Sequence, residues 1–326
     1  MRVLFWGTPE FGLPSLEAMR GAGHDIAGVV TNPDRPAGRG RRPRTSPVKA
    51  WAIEAGLPVL QPERPGEEAF LAAARRLRPD ISVVAAYGRL LPPVALDLPP
   101  LGSLNVHASL LPALRGAAPI NWAIIRGHRE SGVSIQRMVA ELDAGPVLGQ
   151  TRIPIPATMT AGELYAEAAK AGGARLVAVL DDLASGRAVE RAQDDAGATW
   201  APKLDRETAR IDWSRPAAEV ANWLRGCDPW PAAWTSLAAP AALAGRTLQC
   251  FEPGVDGPRP DGADAGGTRS GTAPGTVVRA DPVRGLRVAT GSGTVTVGAV
   301  KPAGRRRMSA AEWVRGLPDP KEVRFD

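Results

Sequence analysis

Asn105 and His107, two residues apart, and the carboxylate of Asp143 are the side chains of this 326-residue chain best suited to acid–base and electrostatic chemistry. Asn105-Val106-His107 closes a short apolar run, and strand alternation puts the amide and the imidazole on one face. Asp143 stands in Glu141-Leu142-Asp143-Ala144-Gly145, where a second apolar run gives way to a glycine turn. A donating amide, an imidazole that titrates near neutrality and a carboxylate that orients it can stabilise a developing oxyanion and move a proton. Taken singly, each has a plainer reading. His107 is one of only three histidines, and an Asp before Ala-Gly is often a turn residue.

These residues need elements that bring them to one crevice. In the first half of the chain, short apolar runs at residues 3–6, 26–31, 59–61, 80–86, 104–106, 133–139 and 147–153 alternate with helical patterns. Strands apolar on both faces, separated by helices, indicate an α/β fold: a Rossmann-like, doubly wound, mainly parallel sheet. In such sheets ligands bind beyond the carboxyl ends of the strands, where 105–107 and the Asp143 turn would lie. The first turn, Gly7-Thr8-Pro9-Glu10-Phe11-Gly12, lacks the three spaced glycines of a dinucleotide site and sets Glu10 where a phosphate would be repelled. A helix is expected over about 160–185.

Residues 1–186 thus read as a catalytic domain, the polar stretch 187–205 as a linker, and 206–326 as a smaller domain. The last contains a helix near 217–225 and short β-like stretches at 246–251, 275–279, 286–290 and 294–300, the final two flanking Gly291-Ser292-Gly293. That pattern fits an OB-like β-barrel. Residues 252–274 are rich in Gly, Pro and Asp and read as a flexible surface insertion whose deletion is nearly neutral. The tryptophans at 213, 223, 230 and 234 read as packing residues.

Cys227 and Cys250 make no disulfide framework and lack metal-site spacing, so both read as buried small hydrophobes. No run approaches the roughly 18 apolar residues of a membrane span, and no secretory leader opens the chain, so a cytoplasmic monomer is expected. The net charge of +6 suits an anionic partner.

From Asn105 onward the sequence reads Asn-Val-His-Ala-Ser-Leu-Leu-Pro-Ala-Leu-Arg-Gly-Ala-Ala-Pro-Ile, and here the chain resembles the folate-dependent formyltransferases. The likeness extends to Gly7-Thr8-Pro9, residues 31–49, Ala86-Tyr87-Gly88, Leu142-Asp143-Ala144-Gly145, Ala209-Arg210-Ile211-Asp212-Trp213, Asp228-Pro229-Trp230-Pro231 and Lys301-Pro302-Ala303-Gly304. The resemblance implies that Asn105, His107 and Asp143 form the catalytic centre. It implies that Ser109, Leu110, Leu111 and Pro112 bind 10-formyltetrahydrofolate as formyl donor, joined by Tyr87, Gly88, Arg89 and Leu90. An amine would attack the formyl carbon, Asn105 and His107 would donate to the oxyanion, and Asp143 would orient the imidazole. No metal is required.

The triad alone leaves the acceptor open: an amino-sugar nucleotide would use the same chemistry, and a silent RNA-binding relative could keep the fold. Residues 34–44, however, carry Arg35, Arg39, Arg41, Arg42 and Arg44 among glycines, a composition suited to phosphate contact. The resemblance places this loop on the acceptor stem of initiator methionyl-tRNA, with Lys301, Arg305, Arg306 and Arg307 extending the positive track.

Overall fold

The computed structural model describes residues 1–37, 42–255, 272–281, 283, 285–317 and 322–326. Chain contacts divide it into two compact units, the first made of Met1–Pro119, Glu130–Pro154 and Leu164–Pro202. Up to residue 201 the elements are β1 (Arg2–Gly7), α1 (Leu13–Gly21), β2 (Asp25–Val30), β3 (Arg35–Ala37), β4 (Arg42–Arg44), α2 (Pro47–Glu54), β5 (Val59–Leu60), α3 (Glu68–Arg76), β6 (Ile81–Ala85), α4 (Pro93–Leu96), β7 (Ser103–His107), β8 (Arg115–Gly116), α5 (Pro119–Ile125), β9 (Glu130–Arg137), β10 (Val147–Pro154), α6 (Ala161–Ala184) and β11 (Trp200–Ala201).

The main sheet runs β10-β9-β7-β6-β1-β2-β5. Strands β5, β2, β1, β6 and β7 are parallel, and β9 and β10 continue the sheet antiparallel. Val3, Leu4, Phe5 and Trp6 on β1 are fully buried, as a strand covered on both faces must be. On one face Leu4, Trp6, Val30 and Val84 pack with Phe70, Leu71 and Ala74 of α3. The strand order reverses between β1 and β6, so the carboxyl ends of β1, β6 and β7, at Gly7, Ala85 and His107, share one edge beside that switch. The Rossmann-like, mainly parallel sheet expected from the apolar runs is the one observed.

The second unit comprises Ile120–Arg129, Ile155–Glu163 and Lys203–Asp326. Its further elements are α7 (Ala217–Gly226), β12 (Trp234–Ala239), β13 (Thr247–Val255), β14 (Val277–Asp281), β15 (Gly285–Ala289), β16 (Thr294–Pro302), β17 (Met308–Ser309), α8 (Ala310–Arg315) and β18 (Arg324–Phe325). The antiparallel order β14-β15-β16-β13-β12-β18 nearly closes on itself, because Thr276 bridges Arg324 and Val277 N–H donates to Val323 C=O. The barrel interior holds Leu248, Cys250, Leu286, Val288, Val295 and Val297, with Trp213 stacked on Phe325 at 5.5 Å.

Three sequence expectations change. The supposed linker is not one for most of its length: residues up to Pro202 belong to the first unit, where β11 pairs in parallel with β8. Polarity misled there, because two of the polar side chains bond the backbone of the first unit: Gln193 Nε2 donates to the Asp143 and Gly145 carbonyls, and Thr199 Oγ1 accepts from Leu114 N–H. Second, α5 and residues 155–163 cluster with the barrel unit, where Asn121 Nδ2 donates to the Gly226 carbonyl and Arg225 to that of Met159. Third, residues 252–255 are strand: Pro253, Gly254 and Val255 of β13 pair with Val297, Thr296 and Val295 of β16. Ladder hydrogen bonds use backbone, so Gly/Pro composition did not exclude a strand. Within that insertion, 256–271 lies outside the described residues. Among the tryptophans, Trp230 is 57% exposed, so it is not a core residue.

Candidate active site

His107 is the last residue of β7 and is buried. Its Nε2 lies 3.0 Å from the carbonyl of Leu114. A carbonyl only accepts, so this contact places a proton on Nε2 and leaves Nδ1 as the position that gains or loses one. Nδ1 faces Asp143 Oδ1 at 3.6 Å, with both side chains less than a tenth exposed. That gap is longer than a hydrogen bond.

The Asp143 carboxylate is held from both sides. Gln136 Nε2 donates to Oδ1 at 2.9 Å and the Gly116 N–H donates to Oδ2 at 2.8 Å. Leu114 and Asp143 both take left-handed backbone, with φ of 61° and 54°. Non-glycine residues there cost roughly 1–3 kcal/mol each and persist only where the surroundings enforce them. Here those surroundings are the carbonyl-to-imidazole bond, the carboxylate bonds and a further amide. Gln193 Nε2 donates to the carbonyls of Asp143 and Gly145 at 2.8 and 2.7 Å, and its Oε1 accepts from the buried Arg115.

Asn105 stands two residues before His107 on β7, flanked by Gln136 of β9 and Val84 of β6. Among the described residues its half-buried amide has no side-chain hydrogen bond, which leaves it available as a donor. The strand ends and the Asp143 turn thus bring an amide, an imidazole and a carboxylate together within the first unit.

The stretch 109–112 follows directly. Ser109 is buried and its Oγ donates to Ala113 C=O at 2.6 Å. Ser134 Oγ donates to Ser109 C=O and accepts from Leu111 N–H, while Gln150 Nε2 donates to Leu111 C=O. Leu111 is buried, and Leu110 and Pro112 are half-buried.

The loop after β6 turns through Ala86 and Gly88, with φ of 52° and 80°. Tyr87 is buried edge-on to Trp6, and its hydroxyl, lifted in pKa by burial, has no partner among the described residues. The Tyr87 carbonyl accepts from Asn32 Nδ2 at 2.7 Å, and the buried Asn32 Oδ1 also lacks a partner among the described residues. Arg89 donates to the Pro62 and Glu63 carbonyls, and Leu90 is 79% exposed.

Arg35 of β3 pairs through its backbone with Arg44 of β4, and Ala37 with Arg42, so the basic insert is a hairpin. Arg39 and Arg41 lie outside the described residues. Its base is clamped: Lys49 Nζ reaches Asp34 at 2.5 Å and Gln61 at 2.7 Å, and Gln61 donates to Asn32 C=O. In the barrel unit Lys301, Arg305 and Arg306 are exposed. Arg306 pairs with Glu312, and Arg307 pairs with Asp228 and Glu252 and lies 4.0 Å over the Phe251 ring.

Sequence reasoning missed Ser134, Gln136, Gln150, Gln193 and the carbonyl of Leu114. For Ser134 and Gln136 a signal existed: two polar residues at alternate positions of an otherwise apolar strand share one face. For Gln193 there was none, since its partners are carbonyls remote in sequence. Among the described residues, no helix is long and apolar enough to cross a membrane, and no three His, Cys, Asp or Glu side chains group as metal ligands.

Comparison with known proteins identifies the family. Residues 1–180 match the family model described as formyl transferase, and residues 203–318 match that described as formyl transferase, C-terminal domain. The methionyl-tRNA formyltransferase of a Nocardioides species is 44% identical across 97% of this chain and 95% of its own length. That of Moorella thermoacetica is 41% identical across 98% and 97%. Among solved structures, HypX from Aquifex aeolicus in complex with tetrahydrofolic acid superposes with a TM-score of 0.64 at 18% identity. The match takes in 96% of this chain but only 47% of HypX. An N-formyltransferase from Helicobacter canadensis, solved with folinic acid and dTDP-3-aminofucose, gives 0.61 at 13% identity over 90% and 98% of the two chains. These distant structures speak for the fold alone. The full-length relatives and the two family matches speak for more: the chain belongs to the formyl transferase family.

Proposed function

We propose that the protein transfers a formyl group from 10-formyltetrahydrofolate to the α-amino group of methionine carried on initiator tRNA, in the cytoplasm. The observation that carries the chemistry is the state of His107. Its Nε2 proton is committed to the Leu114 carbonyl, and its Nδ1 faces a buried carboxylate across 3.6 Å. Proton movement therefore takes place at Nδ1, which takes the proton released by the attacking amine while Asp143 stabilises the imidazolium, and returns it to the folate nitrogen as that nitrogen's bond to the formyl carbon breaks. The Asn105 amide donates to the formyl oxygen as negative charge develops there, a preorganised donor in a site of low dielectric. An α-amine titrates near ~7.7–8.0, so the attacking group needs little help to lose its proton.

The folate supplies an activated formyl group. The residues that would hold it are 109–112 and the loop from Tyr87 to Leu90. The orphaned Tyr87 hydroxyl and Asn32 Oδ1 are buried polar atoms in need of partners, and exposed Leu90 offers apolar surface. That combination suits a planar heterocycle with an amide-like edge.

The acceptor assignment is supported by 41–44% identity to methionyl-tRNA formyltransferases along the whole chain. Arg35, Arg39, Arg41, Arg42 and Arg44 of the basic insert are the residues that would take the acceptor-stem phosphates. Lys301, Arg305 and Arg306 are their counterparts on the barrel. The test is formyl transfer from 10-formyltetrahydrofolate to initiator methionyl-tRNA, with elongator methionyl-tRNA and an amino-sugar nucleotide alongside. Selective formylation of the initiator, lost in His107→Ala, is expected. Transfer to the sugar alone would overturn the acceptor.

A further inference from the structure

Gln193 is half-buried while its neighbours on both sides are exposed, so apolar burial does not hold it in place. Directional bonds do. Nε2 donates to the carbonyls of Asp143 and Gly145, and Oε1 accepts from Arg115 Nε at 3.1 Å and Nη2 at 2.8 Å. Carbonyls only accept and a guanidinium only donates, so this amide orientation is the one the partners permit. Arg115, itself buried, also pairs with Asp195.

The two carbonyls bracket a tight turn. Asp143 is left-handed there, and a Cβ on Gly145 would stand 1.9 Å from the Arg137 carbonyl oxygen. We propose that Gln193 is a positioning residue for formyl transfer: it grips the main chain of the Asp143 turn and thereby sets the gap between the carboxylate and His107 Nδ1. This rests on the roles given to His107 and Asp143 above. Gln136 holds the carboxylate itself, Gln193 holds the backbone that carries it, and Arg115 anchors Gln193. A side-chain amide serves both partners at once. Glutamate would keep Arg115 but offer the carbonyls no donor; alanine would serve neither.

The experiment compares full-length Gln193→Glu and Gln193→Ala with the natural protein in two measurements. One is steady-state formyl transfer to initiator methionyl-tRNA. The other is the ¹⁵N spectrum of the histidine rings in the resting protein, with the His107 signals identified by their absence in His107→Asn. In both variants kcat should fall by roughly 10- to 100-fold, since small misplacements of a reacting group cost rates of that order. KM for donor and acceptor should stay within about twofold, because substrate binding is untouched. The His107 Nδ1 resonance should move in both. Gln193→Glu keeps its Arg115 partner and should melt above Gln193→Ala, and rates measured below both melting transitions separate loss of positioning from loss of fold. Unchanged kcat, or an unmoved Nδ1 resonance in the folded variants, would overturn the proposal. If the natural protein formylates no tRNA, the functional reading fails, and the ring resonance still decides whether Gln193 positions the pair.

Discussion

Asp143→Asn changes one charge and almost no volume. The two side chains are buried and 3.6 Å apart. At an effective dielectric of about 20, the attraction between the carboxylate and an imidazolium is about 4–5 kcal/mol. If about half of it is gained on the way to the transition state, removing it slows the chemical step by roughly 10²-fold. A second cost follows from the hydrogen bonds. Both carboxylate oxygens accept, one from Gln136 Nε2 and one from Gly116 N–H. An asparagine has a single acceptor oxygen, so in either orientation its NH₂ meets a donor, at a cost of about 1–3 kcal/mol. Single-turnover formyl transfer at saturating donor should therefore fall by about 10²–10³-fold, while tRNA affinity from a binding titration stays within about twofold. A folded Asp143→Asn protein with a rate within about threefold of the natural one would refute the use of this charge.

Other outcomes follow from particular contacts. The Asp34 carboxyl is held below its ordinary value of 3.8, chiefly by the hydrogen bond from Lys49 and then by that from Gln61. A depressed acid contributes stability above its unfolded pKa and loses it as the pH falls through the folded one. Asp34→Asn should thus be less stable than the natural protein near neutrality, and the two acid-unfolding curves should converge below pH 3.8. Burial pushes the thiols of Cys227 and Cys250 up to about 12, so neither should react with a disulfide reagent at pH 8 until denaturant is added. Deleting 252–274 removes paired residues of β13 and should lower the melting temperature; unchanged melting would refute the pairing.

The sequence by itself determined the α/β sheet and the β-rich part that follows it, and it singled out Asn105, His107 and Asp143 as candidate reacting groups. Residues 3–6 and 81–85 are apolar on both faces, a pattern that only a covered parallel strand satisfies, and the spacing of Asn105 and His107 sets them on one face of such a strand. Both are local properties, carried by periods of two residues. The Gly291-Ser292-Gly293 hairpin was legible for the same reason, and β15 and β16 flank it with Ala289 opposite Thr294. The pairing of β12 with β18 was not, because Leu237 and Phe325 find each other across 88 residues of chain and the two residues of β18 carry no period of their own. The support of the site was hidden in the same way. A glutamine at 193 and a carbonyl at 114 have no pattern; their roles exist only once β7, β8 and the Asp143 turn are folded against them. Buried backbone carbonyls must be satisfied by whatever donor the tertiary structure brings, and which residue supplies it is settled by the approach of distant segments rather than by neighbours in sequence.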